Sequence, residues 1–376
     1  MIERIQQKAI EKIFGRKAVV ILGPRQVGKS TLLHQMLDGK DDVLWLNGDD
    51  QDVRDLFTEF SAAKMRTILG KNKVLALDEA QRIYDIGLKL KIVTDQMKDV
   101  QVIATGSSSL DLAAGLNESL SGRKREFVLL PLTFKELVDY HGMLEEKRLL
   151  YRRMIYGYYP EVVTTHGEER DILHEITDSY LYKDILNLDV VAKPDKLNKL
   201  IQALAYQIGS QVSNNELAQL VGLDSKTVDK YIDILEKCFI IFRVNSFSRN
   251  LRNELKSSRK IFFWDCGIRN AVINNFTPLE NRSPVDNGAL WENWIIAERL
   301  KYNNVIGNRV SPWFWRTRQQ SEIDYLEDQD GHLSAFEFKW NPNAKASIPP
   351  SFSSSYPDTS FQVITPANYD SLIYHS

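Results

Sequence analysis

The sequence predicts an α/β fold with a parallel sheet in its first third, a helical middle and a second α/β region at its end. Up to about residue 130, apolar runs without polar alternation are separated by helical patterns, which is typical of strands covered by helices on both faces. Residues 133–200 are mostly amphipathic with helical spacing. Strand-like runs and a further helical pattern reappear beyond residue 260. Together these observations favour an α/β class over an all-helical or all-β one.

Composition places the chain among ordinary globular proteins. Its 376 residues are enough for two or three domains, with 43% hydrophobic and 26% charged residues. No apolar run approaches the roughly 20 residues that span a bilayer, and the start has no signal-peptide core. Cys238 and Cys266 have neither metal-site nor paired spacing. We therefore expect a cytoplasmic protein without a membrane partner, and the net charge of −2 excludes a uniformly electropositive surface.

Five apolar, β-rich runs predict the strands of the first sheet, because helical patterns lie between consecutive runs. The runs are residues 18–22, 43–47, 74–80, 100–106 and 126–132. Near the other end of the chain, the Ser- and Pro-rich segment 346–357 has the composition of a turn region, so we expect a loop there.

The segment "GPRQVGKST" has a nucleotide-binding pattern. It follows the first predicted strand, opens a helical pattern and satisfies G-x-x-x-x-G-K-[ST]. Its glycines let backbone N–H groups surround phosphates at a helix N-terminus. We expect Lys29 to contact the β- and γ-phosphates of ATP and the Ser30 hydroxyl to bind Mg²⁺. The predicted nucleotide contacts are Gly23, Pro24, Arg25, Gln26, Val27, Gly28, Lys29, Ser30 and Thr31.

A later strand, "VLALDEA", ends in two acids that suit ATP hydrolysis. Asp78 lies at its carboxyl end, where it can hold Mg²⁺, and Glu79 is the candidate general base for the attacking water. The alternative is that the two acids only begin a capped helix. After the next strand, "ATGSSS" offers small hydroxyl groups near the γ-phosphate, and we select Ser107 among them.

Positive charge opposite the γ-phosphate is the remaining requirement of phosphoryl transfer. "LSGRKREF" supplies Arg123 and Arg125 just before the fifth predicted strand. If the subunits form a ring, Arg123 becomes an arginine finger for the neighbouring site, a device that accelerates hydrolysis by ~10³–10⁵. The alternative is an ordinary surface arginine.

Residues 213–244 have the pattern of two helices followed by a strand. Ser213 and Glu216 are spaced as a capping box, and Gly222 ends the first helix. Asp224 or Ser225, the next polar residues, would then cap the second helix. The run "FIIFRV" fits the wing of a winged helix, so we expect that fold here.

The second helix of this region has mixed charges, so two functions stay open. In a DNA-binding version Lys226, Thr227 and Lys230 face the major groove. The acids on the same helix, which repel phosphate, favour instead a structural or subunit-contact module; they are Asp229, Asp233 and Glu236.

The segment "SEIDYLEDQDGHLSAFEFKW" has the residues of a metal-dependent nuclease. Asp324 lies on one predicted strand, and Glu337 and Lys339 lie two apart on its partner, so the latter two share a face. Such carboxylates hold Mg²⁺ and a nearby lysine polarises the phosphate or the water. Glu292, on a preceding helix, supplies a further acid. The alternatives are a hairpin with exposed charges or an inert DNA-binding platform.

Several motifs occur in an order that resembles a prokaryotic family of AAA-type P-loop ATPases. They include "GPRQVGKST", "LDEAQR", "TGSSS", "LSGR" and "LPLTFKEL", and the segments "YIDILEKCFII", "FFWDCGIRN" and "FEFK" extend the resemblance over almost the whole chain. Members of that family typically have a C-terminal domain of unknown function with a restriction-endonuclease-like core. "YGYYP" departs from the family pattern, because Tyr158 stands where a second glycine is expected. The resemblance implies ATP binding and a soluble cytoplasmic protein.

The patterns and the resemblance together predict three domains. Residues 1–165 form an AAA-type P-loop ATPase domain, residues 166–250 a helical linker with a winged-helix-like region, and residues 251–376 a restriction-endonuclease-like domain. The leading hypothesis is an oligomeric, Mg²⁺-dependent ATPase that translocates on DNA or remodels branched DNA. A hexameric ring is one version of this oligomer. One alternative is an ATP-gated nuclease that uses the C-terminal acids. Another is a nucleotide-dependent switch or scaffold whose partner is a protein.

Overall fold

The computed structural model describes residues 2–107, 120–179, 185, 191–248, 258–317 and 319–374. The chain divides into two compact units. One consists of Met1–Leu130 with Lys237–Phe239, and the other of Pro131–Glu236 with Ile240–Ser376. The three domains predicted from the sequence, with boundaries after residues 165 and 250, stay a prediction.

The first unit is built on a five-stranded sheet in which every pairing is parallel. The strand order is β2-β3-β4-β1-β5. The strands are β1 Ala18–Leu22, β2 Val43–Asn47, β3 Val74–Asp78, β4 Gln101–Gly106 and β5 Lys124–Val128. The predicted parallel sheet is confirmed, although β3 ends and β5 begins two residues earlier than the apolar runs indicate.

Helices cover this sheet and enclose an apolar core. They are α1 Gln6–Glu11, α2 Lys29–Leu37, α3 Gln51–Leu56, α4 Ala62–Leu69 and α5 Ile86–Gln96. All five residues of β1 are buried, which explains why that strand lacks polar alternation. Leu75 and Leu77 of β3 pack in the same cluster as Leu90 and Val93 of α5. Each such side chain stabilises the fold by about 1.5–3 kcal/mol when it leaves water.

The second unit begins with short helices, as the amphipathic pattern predicts. They are α6 Phe134–His141, α7 Met143–Arg148, α8 Leu150–Tyr156, α9 Pro160–Thr164 and α10 Glu169–Ile176. The first of them starts with a complete capping box, because Thr133 accepts from the N–H of Glu136 and the Glu136 carboxylate accepts from the N–H of Thr133.

Three helices and three strands follow in the middle of the sequence. They are α11 Pro194–Tyr206, β6 Gln211–Val212, α12 Asn214–Val221, α13 Ser225–Lys237, β7 Ile241–Ser246 and β8 Arg259–Phe263. Strand β8 pairs antiparallel with both β6 and β7. Gly222, at φ 68°, ends α12, as predicted. Asp224 caps the next helix, since its Oδ1 accepts from the N–H of Thr227 at 2.9 Å.

The last part of the chain completes a seven-stranded mixed sheet. Its elements are α14 Cys266–Val272, α15 Pro284–Ile306, β9 Ser311–Arg316, β10 Glu322–Gln329, β11 His332–Phe338, α16 Pro350–Ser355, β12 Ser360–Ile364 and α17 Asp370–Ile373. The strand order is β12-β11-β10-β9-β7-β8-β6. The α/β class and the predicted sequence of regions are confirmed. None of the helices in the described part of the chain combines the length and hydropathy needed to span a bilayer.

Strands β10 and β11 form the hairpin that the sequence predicts. Asp330 and Gly331 connect them, both with positive φ (53° and 85°), as a two-residue hairpin turn requires. Segment 346–357, expected to be a loop, instead contains α16. Pro350 at the first helical position is compatible with a helix start, and the buried ring of Phe352 packs against Trp315 and Tyr356.

Candidate functional site

The phosphate-loop segment lies between β1 and α2, at the carboxyl edge of the parallel sheet. Gly28 is the residue before α2 and has φ 91°, a conformation that favours glycine. Gly23 is needed for a different reason. A Cβ atom there would lie 2.0 Å from the carbonyl oxygen of Leu129, the residue after β5. Both glycines of the motif therefore have a structural requirement that independently supports the predicted loop.

Arg4 fixes this loop, and sequence reasoning missed it. The side chain is buried, and its guanidinium donates to the carbonyls of Val27 and Leu130, both at 2.7 Å. The loop is thereby tied to the chain that follows β5. No local pattern marks Arg4, because its partners are 23 and 126 residues away.

Lys29 is the first residue of α2 and is only 4% exposed. Its ammonium donates to the carbonyl oxygens of Gly23 at 2.9 Å and Pro24 at 2.7 Å. Burial lowers the pKa of Lys29 to about 8, while Glu79 and Asp78 oppose that shift and Arg25 adds to it. The charge is therefore held inside the curve of the loop, near the two acids that the sequence selects.

Asp78 and Glu79 end β3 beside β4, the strand that separates β3 from β1. The hydroxyl of Thr105 donates to Asp78 Oδ1, which also accepts from the N–H of Glu79 at 3.1 Å. Glu79 has a left-handed φ of 47°, and its carboxylate accepts from the amide of Gln81. Because the acids and the phosphate-loop segment lie at the carboxyl ends of β3 and β1, with only β4 between these strands, they form a single candidate site.

Thr105 and Ser107 mark the end of β4 in this site. Sequence reasoning selected Ser107, which is buried directly after the strand. It missed Thr105, whose partner becomes visible only when the register pairs β3 with β4. The neighbouring Ser108 and Ser109 of the "ATGSSS" motif lie outside the described residues.

Arg123 lies at the opposite, amino edge of the same sheet. Its carbonyl accepts from the N–H of Ala18, and the register pairs Ala18 with Lys124 and Leu22 with Val128. The guanidinium donates to Asp95 Oδ1 at 2.5 Å, and the side chain is 42% exposed. The Arg123 guanidinium holds the pKa of the Asp95 carboxyl below its usual value. Arg123 is therefore not placed beside the phosphate-loop segment of its own subunit.

Ser30 and Asp78, the residues predicted to bind Mg²⁺, offer a hydroxyl and a carboxylate oxygen from neighbouring parts of this edge. This donor set fits Mg²⁺, which binds proteins through one or two carboxylates together with phosphate oxygens. Among the described residues, no three His, Cys, Asp or Glu side chains form a cluster that holds a metal by itself.

The C-terminal candidate acids lie on α15, β10 and β11. Asp324 Oδ2 accepts from the N–H of Phe338 at 2.8 Å, and Glu337 Oε1 accepts from Lys339 Nζ at 2.5 Å. Burial and the carboxylates of Glu292 and Glu337 raise the pKa of Asp324 to about 8. The hairpin thus brings these residues into one electrostatic group, as the spacing predicts. A nuclease role for them stays a prediction.

The charged residues of α13 separate into two sets. Lys226 and Lys230 are exposed and one helical turn apart. The acids are paired with arginines of the strands that follow. Arg259 contacts Asp229 at 2.7 Å, and Arg243 contacts Asp233 at 2.8 Å and also Glu236. Thr227 is occupied by the cap, because its hydroxyl donates to Asp224 at 2.6 Å.

Three family models match successive parts of the chain. Residues 15–138 match an AAA domain, residues 147–279 a domain of unknown function (DUF8612), and residues 287–371 a domain of unknown function (DUF4143). The match, the parallel sheet and the phosphate-loop geometry agree on an AAA-type P-loop ATPase fold for residues 15–138. The restriction-endonuclease-like and winged-helix assignments stay predictions.

Uncharacterized proteins of bacteria and of Methanocaldococcus jannaschii are similar to this chain over two thirds of its length or more. The chain is 26% identical over 348 residues to an uncharacterized protein of Mycobacterium tuberculosis, covering 90% of this chain and 74% of the relative. An uncharacterized protein of Haemophilus influenzae is 28% identical over 283 residues, with 68% of each chain covered. Among solved structures, RuvB of Thermotoga maritima is 18% identical, covering 64% of this chain and 88% of that one, with a TM-score of 0.28.

Proposed function

We propose that this protein is a Mg²⁺-dependent ATPase that acts on DNA. The observation that supports the ATPase most directly is the meeting of Lys29, Asp78 and Glu79 at one edge of the parallel sheet. This edge also has the loop backbone and the helix N-terminus that bind phosphate. The arrangement suits phosphoryl transfer, which needs positioning and charge more than covalent chemistry.

In the proposed reaction each residue of the site has a separate role. Backbone N–H groups from Gly23 to Lys29 bind the phosphates, and the Lys29 ammonium leaves its carbonyl partners to neutralise the β- and γ-phosphates. Glu79 orients the attacking water and accepts its proton. Ser107 binds close to the γ-phosphate.

Mg²⁺, when bound, would supply positive charge that offsets the charge of the phosphates. Ser30 and Asp78 are the residues that would hold it. Thr105 keeps the Asp78 carboxylate in one orientation through its hydroxyl group. The position of Asp78 is thus set by a neighbouring strand before any nucleotide binds.

Contact with DNA is assigned to the second helix of the middle region. The acids of α13 that argue against a nucleic-acid partner are already paired with Arg243 and Arg259, so their charge is largely compensated within the protein. Lys226 and Lys230 remain exposed on the helix. In a winged helix this is the element that enters the major groove, which supports a phosphate-contacting role.

The assembly is proposed to be a homo-oligomer, with a hexameric ring as one form. Arg123 lies at the edge away from the phosphate-loop segment of its own chain, so an arginine-finger role requires a neighbouring subunit. Branched DNA is the substrate form that a ring-shaped translocase would remodel. A nuclease acting through Glu292 and Asp324, or a switch binding a protein partner, is the alternative.

ATP turnover measured across duplex, single-stranded and branched DNA tests this proposal. We expect turnover to rise with at least one DNA form and to be lost in Lys29→Ala. The Lys64→Ala variant, which changes an exposed lysine on α4, is the matched control and should behave as wild type. Turnover that no DNA form alters would contradict the DNA role and favour a protein partner. Plasmid cleavage in the same reactions would favour the nuclease alternative.

A further inference from the structure

Lys260 is a buried lysine that pairs with two acids from different elements. Its side chain is 3% exposed, and Nζ lies 2.9 Å from Glu292 Oε1 and 2.6 Å from Glu322 Oε1. Lys260 belongs to β8, Glu292 to α15 and Glu322 to β10. One ammonium group therefore joins the long helix to two strands of the seven-stranded sheet.

The surroundings of Lys260 are shaped around this ammonium. The ring of Phe314 has its centroid 5.4 Å from Nζ, within cation–π range. Gly209 leaves room for the Glu292 carboxylate, because a Cβ atom there would lie 3.1 Å from Glu292 Oε2. The φ of Gly209, +73°, also favours glycine. An ion pair formed by chance at the surface would have neither an aromatic ring next to its ammonium group nor a backbone segment packed closely against its carboxylate.

The other acids of this group have partners of their own. Asp324 accepts from the backbone N–H of Phe338, and Glu337 accepts from Lys339. In the described part of the chain, no three His, Cys, Asp or Glu side chains are placed to hold a metal ion. Two ammonium groups therefore provide the positive charge where a nuclease would use a divalent cation.

We propose that Lys260 takes the place of a divalent ion in the acid cluster, which consists of Glu292, Glu322, Asp324 and Glu337. The ammonium compensates the buried carboxylates and fixes α15 against β8 and β10, so this core is stable without metal. A divalent cation competes for the same carboxylates and is excluded while Lys260 is present. Replacing Lys260 leaves uncompensated buried carboxylates, and these then bind a divalent ion. The assignment does not depend on the ATPase proposal.

Thermal unfolding of the full-length, nucleotide-free protein with and without Mn²⁺ tests this assignment. Ligand that binds only the folded state raises the unfolding temperature. We expect wild type to unfold at the same temperature in EDTA and in millimolar Mn²⁺. Lys260→Met, which keeps an unbranched side chain one atom shorter but removes the charge, should unfold at a lower temperature in EDTA and recover part of the loss in Mn²⁺.

Two further variants make the result specific. Asp324→Asn added to Lys260→Met should abolish the recovery, because it removes one of the carboxylate ligands. If Lys260→Met alone does not fold, Lys260→Met with Glu322→Gln restores the charge balance and is measured in its place, with the same response to Mn²⁺ expected.

Either of two outcomes would overturn the proposal. The first is a wild-type protein stabilised by Mn²⁺ in a way that Asp324→Asn abolishes, because the metal and Lys260 would then coexist. The second is a Lys260→Met protein that is as stable as wild type in EDTA and indifferent to Mn²⁺, because the ammonium would then compensate nothing.

Discussion

At the scale of single residues, the phosphate-loop segment holds Lys29 buried and with a lowered pKa before nucleotide binds. Lys29 is bound by two carbonyls of its own loop, and burial lowers its pKa to about 8. The pKa is lowered because the site removes water from the ammonium group before any phosphate binds. The two carbonyl oxygens compensate the ammonium charge only in part. A bound phosphate compensates it more fully, so phosphate binding favours the protonated form of Lys29.

The lowered pKa of Lys29 predicts that the protein takes up protons when nucleotide binds. Bound phosphates should raise the pKa of Lys29, so that a neutral Lys29 takes up a proton when ADP binds. Near neutral pH Lys29 is already mostly charged, and ADP binding should take up few protons. At pH 8.5 Lys29 is mostly neutral, and ADP binding should take up roughly 0.7 proton. ADP affinity should therefore fall as pH rises above about 8. Calorimetry without Mg²⁺, in two buffers of different ionisation enthalpy, measures the uptake. Lys29→Met is the control and should show none; equal uptake by wild type at pH 7 and 8.5 would contradict the idea.

The residues that sequence alone identifies in this site are those fixed by local spacing. The phosphate-loop segment and Asp78–Glu79 each follow a strand, so their placement at one edge can be predicted from a parallel sheet. Arg4 and Thr105 depend on contacts between distant parts of the chain, and no spacing in the sequence reveals them. Lys260 is of the same kind, since its two partners lie 32 and 62 residues further along.

At the scale of secondary-structure elements, the sequence predicts strongly periodic segments well and weakly patterned ones poorly. The hairpin of β10 and β11 follows from its Asp-Gly turn. The short helix α16 does not, because serines and prolines favour turns. In the structure the Ser354 hydroxyl donates to the carbonyl of Pro350 at 2.7 Å, and the burial of Phe352 stabilises the turn of helix. Tertiary packing outweighs local preference there.

Helix α13 gives the prediction that belongs to this scale. Removing both charges in Lys226→Ala with Lys230→Ala should weaken DNA binding and lower the slope of log affinity against log salt by about 0.9 for each lost phosphate contact. ATP turnover without DNA should stay unchanged. Fluorescence anisotropy at several salt concentrations measures the slope. The matched control is Lys64→Ala with Lys71→Ala, two exposed lysines of the other unit. A slope equal to that of wild type would remove α13 from the DNA contact.

At the scale of the whole molecule, the proposed ATP site has a candidate residue for every role except that of a cation opposite the γ-phosphate. Arg123 is available for this only from another subunit, because it lies at the amino edge of its own sheet and the phosphate-loop segment at the carboxyl edge. Its ion pair with Asp95 is exposed to solvent, and such pairs contribute little to stability, so a neighbouring site can draw the guanidinium away. The sequence identifies Arg123 as a candidate. It does not show at which edge of the sheet Arg123 lies, because that depends on the direction of β5.

A mixing experiment decides whether Arg123 acts between subunits. Arg123→Ala should bind nucleotide normally and lose turnover, and Lys29→Ala should lose turnover by a different route. When the two inactive proteins are mixed in equal amounts and allowed to exchange subunits, about a quarter of the interfaces combine an intact Lys29 with an intact Arg123, as head-to-tail assembly requires. Turnover should therefore return to roughly that fraction of the wild-type value. Asp95→Asn, which frees the guanidinium, should keep turnover and serves as the control. A mixture that stays inactive despite exchanging subunits, or an Arg123→Ala protein with full turnover, would exclude a finger in trans.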